Sequence, residues 1–198
     1  MGNITKRKGW RWWLTSLMAL FLALNLQAQV TVEIGTGTNS SSWPFYTLYE
    51  DARMQVIYDA SEILAGGGMA GDITEIAFNV STVGGPAMSG FSIDMQQTSA
   101  TTLGAFENTG WTNVYFGTYT VAATGWQTIV LDTPFAWDGV SNLLVNVCFD
   151  NDDWTGNSTV NSSAFAGKTW AERTDGAAGC SLSAGAAQAN RPNVRLTI

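Results

Sequence analysis

Apolar residues recur at every second position over much of this sequence, the spacing of strands with one buried face. Met54, Val56 and Tyr58 share a face, as do Ile76, Phe78 and Val80, with Glu75, Ala77 and Asn79 opposite. Phe91, Ile93 and Met95 alternate with Ser92, Asp94 and Gln96; Leu143, Val145, Val147 and Phe149 form a fourth row, and Val194, Leu196 and Ile198 a fifth. A slip of one residue would turn each row to solvent, so the pattern specifies register as well as strand type. One short helix is predicted over 59–64, where Asp59 is placed to cap and Glu62 follows three residues later as in a capping box, before Gly66-Gly67-Gly68 ends it. Turn signals at Gly35, Gly84-Gly85-Pro86, Gly104, Asp138-Gly139, Gly156 and Asp175-Gly176 separate the strands. Segments 111–121 and 126–131 are expected to pair as a hairpin across Ala122-Ala123-Thr124-Gly125. Segment 155–190 is rich in Ser, Gly and Ala and weakly patterned, and is expected to form long loops. The expected fold is all-β: a two-sheet antiparallel β-sandwich, jelly-roll-like, of about nine or ten short strands.

Residues 1–28 read as a signal peptide rather than as part of the folded unit. Lys6, Arg7, Lys8 and Arg11 form a basic start, residues 12–24 an apolar run, and Leu26-Gln27-Ala28 a small-residue cleavage site. The rival reading is a membrane anchor, against which the apolar run falls short of the roughly 20 residues a span requires. Cleavage would leave residues 29–198 as one domain beginning at Gln29, without a transmembrane segment. Five cations then stand against 16 carboxylates, a net charge of −11. Such a surface repels phosphate backbones, so nucleic acid and anionic membranes are poor partners, whereas cations and neutral polymers remain open to it. In an oxidising compartment Cys148 and Cys180 are expected to pair with each other, the alternative being two buried free thiols.

Several phrases resemble a known module. The segment Tyr49-Glu50-Asp51-Ala52-Arg53-Met54-Gln55-Val56-Ile57-Tyr58-Asp59-Ala60-Ser61-Glu62 is similar to its opening. Gly125-Trp126-Gln127-Thr128, Pro134-Phe135 with Trp137-Asp138-Gly139, the run Asn142 to Asn151 and Arg191-Pro192-Asn193-Val194-Arg195 match further phrases. The module is the N-terminal β-sandwich of large secreted and cell-surface proteins of Bacteroidetes-type bacteria, which are type IX secretion substrates. The resemblance covers 29–198 and implies a unit within a longer protein; it supplies no catalytic residues to carry over.

The sequence contains no histidine, which removes Ser-His-Asp, Cys-His and His-ligated metal chemistry. Three candidate constellations remain. Asp150, Asp152 and Asp153 follow strand 143–149 and offer oxygen ligands suited to a structural Ca2+, although the glycine and distal glutamate of a full calcium loop are missing. Trp43, Trp154 and Trp170 lie in Ser/Gly/Asn-rich stretches, where exposed rings could stack on sugars. Glu50, Asp51 and Glu62 are the carboxylates available to a glycoside hydrolase mechanism. The asparagine sequons at Asn79, Asn157 and Asn161 are chance matches in a Ser/Thr-rich chain. The expectation is therefore an exported, non-catalytic module for adhesion or carbohydrate binding at a bacterial surface, with neutral glycans or neighbouring modules as partners. A structural spacer without a ligand is the second reading, and a glycoside hydrolase-type enzyme the third.

Overall fold

The computed structural model describes residues 29–198, together with Gly2. The expected signal peptide lies outside the described residues. Eleven strands follow one another: β1 (Thr31–Ile34), β2 (Asn39–Ser41), β3 (Asp51–Tyr58), β4 (Gly71–Thr82), β5 (Met88–Thr98), β6 (Thr112–Tyr119), β7 (Gly125–Trp137), β8 (Asn142–Asp150), β9 (Thr159–Thr174), β10 (Ala186–Pro192) and β11 (Val194–Thr197), with helix α1 (Ala60–Ala65) after β3. The strands exceed the expected nine or ten, and β4, β7 and β9 are long, at 12, 13 and 16 residues.

All pairings are antiparallel. The eleven strands form one continuous hydrogen-bonded sheet that β9 divides into two four-stranded layers, ordered β1-β11-β4-β7 and β3-β8-β5-β6. The chain passes from sheet to sheet at β3–β4, β4–β5, β6–β7 and β7–β8, which is the connectivity of a jelly roll. Between the sheets lies the core, and the five apolar rows meet there: Met54, Val56, Tyr58, Ile76, Phe78, Val80, Phe91, Ile93, Met95, Leu143, Val145, Val147, Phe149, Val194 and Leu196 are buried in one cluster, with Ile198 partly buried against it.

Two expectations are corrected. Strands β6 and β7 do not form a hairpin, because β6 pairs with β5 and β7 with β4, so the connection 120–124 carries the chain from one sheet to the other. A short Gly-containing gap is equally compatible with a sheet switch, and the core rows of the partner strands decide between them. Segment 155–190 is not a set of loops, since β9 and β10 fill most of it as a hairpin. Its small polar residues carry no alternation, and β9 is instead held by ladders on both edges: Ser162 pairs with Asn39 and Pro192, and Ala171 with Met54 and Ala186. The ladder bonds, rather than one greasy face, hold the strand. Near its start β9 also pairs with β4, Val160 opposite Val80, and near its end with β3, so it ties the two sheets together.

The helix forms where expected, with the Asp59 N–H donating to Glu62 Oε2 at 3.2 Å. Glu62 reaches further, accepting from Arg191 Nη2 at 2.6 Å and Nη1 at 2.7 Å. Arg191, 1% exposed, also donates to the Ile57 carbonyl and stacks 4.2 Å from the Phe165 ring. Next to it the Tyr58 hydroxyl donates to the Pro192 carbonyl at 3.1 Å, and Asn193 Nδ2 to the Gly37 carbonyl at 2.8 Å. Thus the Tyr-Asp-Ala-Ser-Glu and Arg-Pro-Asn phrases, 129 residues apart at the Glu62–Arg191 pair, form one polar clasp.

Candidate functional site

The outward face of β3, β8, β5 and β6 is polar in sequence yet largely covered. Arg53 and Gln55 project there from β3, Asn146 and Cys148 from β8, Ser92 and Asp94 from β5, all in register across the sheet. Arg53 Nε donates to Asn146 Oδ1 at 3.0 Å, its Nη1 to the Leu182 carbonyl at 2.6 Å and to Asn108 Oδ1 at 3.2 Å, and its Nη2 to the Glu107 carbonyl at 3.1 Å. Its guanidinium lies 4.4 Å from the Phe106 ring centre. Burial pushes its pKa down, and the nearby Asp94 and Glu172 carboxylates oppose that. One side chain thereby pins both the 99–111 connection and the segment after Cys180 onto the sheet. Asn146 completes the network by donating from Nδ2 to Asp94 Oδ2 at 3.0 Å, while Asn113 Nδ2 donates to Asp94 Oδ1 at 2.8 Å.

Cys148 and Cys180 form a disulfide with a Cα–Cα distance of 5.1 Å. Alternation explains it: Val147 and Phe149 face the core, so Cys148 faces outward under the 3-10 turn Gly179–Ser181. Gly179 permits this approach, because a Cβ there would collide with the Phe149 carbonyl. Between the disulfide, Arg53, Asp94, Asn146, Trp111 and Phe116 lies a pocket of about 420 Å³. Its floor is hydrogen-bonded and rigid. At its rim the Phe116 ring is 66% exposed.

The three tryptophans singled out in sequence do not share a surface. Trp43 is only 6% exposed, a correction to the expected open ring; its Nε1 donates to Gln188 Oε1 at 3.3 Å, and it belongs to the main core. Trp170 packs with Ile57, Leu103 and Leu144 on the outer face, donating from Nε1 to the Ala184 carbonyl at 2.9 Å. Trp154 is 55% exposed, beyond the end of β8. Phe116 and Trp111 were not singled out as ligand contacts. Phe116 does break the polar side of its strand, and that is the signal the sequence offered.

Asp150, Asp152 and Asp153 are likewise dispersed by function. Asp150 ends β8 opposite Asp51, whereas Asp152 and Asp153 lie exposed beyond it. Among the described residues no three acidic or cysteine side chains gather as a metal centre. Three other acidic residues hold a turn near Asp150: Glu50 Oε2 accepts from the Gly176 N–H at 2.8 Å, Asp51 Oδ2 from the Ala177 N–H at 2.9 Å, and Asp175 Oδ1 from the Glu50 N–H at 3.1 Å. Asp51 is 1% exposed and its Oδ1 has no donor among the described residues. Burial raises its pKa to about 6, reinforced by the Asp150 carboxylate and only partly offset by the Ala177 bond. A carboxyl whose folded pKa lies above its unfolded value of about 3.9 contributes most at low pH, and that contribution is lost as pH rises through 6. Asp51→Asn is therefore expected to raise the melting temperature at pH 7.5 and to leave it unchanged at pH 4, as measured by thermal unfolding across that range. Equal shifts at both pH values would contradict the assignment.

No family model matches the chain, and no curated protein or solved structure does so either.

Proposed function

We propose that residues 29–198 are an exported, non-catalytic β-sandwich module for adhesion or carbohydrate binding at a bacterial surface, taking neutral glycans in the outer-face pocket. The observation that carries this reading is the exposed Phe116 ring beside the fixed Asp94–Asn146–Asn108 floor. A sugar presents an apolar face to an aromatic ring and hydroxyl groups to side chains that both accept and donate. Asp94 retains lone pairs for a hydroxyl after its bonds to Asn146 and Asn113. The intramolecular disulfide supports an oxidising compartment, in line with the basic and apolar residues that precede Gln29. The hydrolase carboxylates have structural partners instead: Glu62 grips Arg191, and Asp51 and Glu50 hold the 175–177 turn. Stacking of one sugar contributes a few kcal/mol, so single-site affinities of micromolar to millimolar become useful through repetition along a surface.

Glycan-array screening followed by calorimetry tests the reading. Wild-type protein is expected to bind a neutral glycan, Phe116→Ala to bind it about 5- to 10-fold more weakly, and Trp154→Ala to match wild type. Binding of no glycan would leave the spacer reading in its place, and glycan binding with an unchanged affinity for Phe116→Ala would remove the outer-face pocket as its site. Turnover of a glycoside abolished by a carboxylate-to-amide change would establish the enzyme instead.

A further inference from the structure

Arg173 stands apart among the described cations. Arg53 is hydrogen-bonded at every nitrogen, Lys168 pairs with Asp59, Arg191 with Glu62 and Arg195 with Glu33. The Arg173 guanidinium has no hydrogen-bond or ionic partner among the described residues, although the residue's backbone pairs with Ala52 in the ladder. Its guanidinium is nevertheless held, 4.5 Å from the Tyr46 ring centre and 5.0 Å from that of Tyr49. Those rings stack on each other at 5.6 Å, and Tyr46 packs on Trp43 at 5.1 Å, so the cation rests on a row of three aromatics anchored in the core. Cation–π contact fixes the position of a guanidinium while leaving its N–H donors free.

Those donors face a pocket of about 330 Å³ between the Ser40–Trp43 stretch and the β9–β10 hairpin. It lies on the other side of β9 from Trp170, since Arg173 shares the face of the core residue Ala171. Gln188 accepts from Trp43 and donates one N–H to the Ala186 carbonyl. Asn190 accepts from Asn39 through Oδ1, which leaves its amide N–H groups without an acceptor, and the Ser40 hydroxyl is also unengaged among the described residues. The lining contains no Asp or Glu. In a chain with 16 carboxylates and five cations after residue 28, this is a concave surface of donors around one unneutralised guanidinium.

We infer that this pocket is a second binding site, specific for the carboxylate of an acidic sugar, a uronic acid residue at the end of a glycan. The planar fork of arginine matches a carboxylate with two parallel hydrogen bonds. Asn190 and Ser40 can donate to ring or hydroxyl oxygens, and the volume, at the small end of ligand pockets, suits a monosaccharide better than an extended chain. The surrounding acidity selects for one terminal carboxylate over a polyanion. At physiological salt the more distant carboxylates are screened over about 8 Å, whereas a bidentate contact is not.

The test compares a galacturonic, a glucuronic and a mannuronic acid trisaccharide with their methyl esters, by calorimetry and by NMR of the tryptophan indole N–H signals. At least one acid is expected to bind about 10- to 100-fold more tightly than its ester and to shift the Trp43 indole signal. Arg173→Gln should lower the acid to the affinity of its ester, and Arg173→Lys should recover part of the loss. Phe116→Ala should leave uronate binding intact, which separates this site from the outer-face pocket. Equal binding of acid and ester, a response at Trp111 in place of Trp43, or no binding of any uronate would each overturn the inference. Tighter binding of a tripeptide with a free than with an amidated C-terminus, in the absence of uronate binding, would reassign the pocket to peptide carboxylates.

Discussion

Arg191→Ala is expected to destabilise the protein by about 3–5 kcal/mol, because it removes the buried partner of an ion pair whose carboxylate is 28% exposed, together with two cation–π contacts. The guanidinium is 1% exposed, bonds Glu62 through both terminal nitrogens, and lies between the rings of Phe165 and Tyr58 at 4.2 and 5.2 Å. Its removal strands the Glu62 carboxylate and detaches α1 from β10 together. For a chain of this size the melting temperature should fall by roughly 6–20 °C. Glu62→Gln should also destabilise, by leaving the arginine without its counter-charge. The double variant Arg191→Ala with Glu62→Gln should be less destabilised than the two single losses added together, which is the signature of direct coupling. The pH dependence gives a second readout. Burial works to raise the Glu62 pKa, but the Arg191 hydrogen bonds and charge outweigh it and hold the carboxyl below its ordinary value. The stabilisation is therefore present above the unfolded pKa of about 4.3 and lost as pH falls through the folded one, opposite in sign to Asp51. A melting temperature within 2 °C of wild type for Arg191→Ala would refute the clasp.

The paired change Cys148→Ser and Cys180→Ser should cost roughly 3–4 kcal/mol in the chain-entropy model, for half-cystines 32 positions apart. Urea unfolding at fixed pH is the measurement, and a midpoint equal to that of wild type is the contrary result. The loss should also be local. The 3-10 turn positions Leu182, whose carbonyl accepts from Arg53, so opening the disulfide loosens one side of the outer-face pocket. Limited proteolysis of the serine variant should cleave between residues 175 and 185 first, while the β-core resists.

Alternation made the jelly-roll core legible, because each row must bury one face and a strand leaves only two faces to choose from. Helix α1 was legible for a similar reason: Asp59 and Glu62 are local signals acting within one turn. Disulfide pairing followed from there being two cysteines. Strands β9 and β10 were not legible, since Ser162 and Ala171 are held by ladders to chain segments up to 123 residues away and their strands bury no regular apolar row. The same limit hid the β6–β7 sheet switch. It also hid the burial of Trp43, whose Ser-rich neighbours suggested an open loop.

Period two and the cysteine pair thus determined the fold class, the buried rows and the disulfide without any structure. Only the tertiary structure decided which polar residues are bound to one another and which are free. Arg53, Arg173 and Arg191 are the same residue type, each placed on or near a strand. One is spent on pinning loops, one on a carboxylate beneath the sheet edge, and one is left facing a pocket. That difference arises because hydrogen-bond partners are supplied by chain segments distant in sequence, and only the packed fold brings those segments within reach.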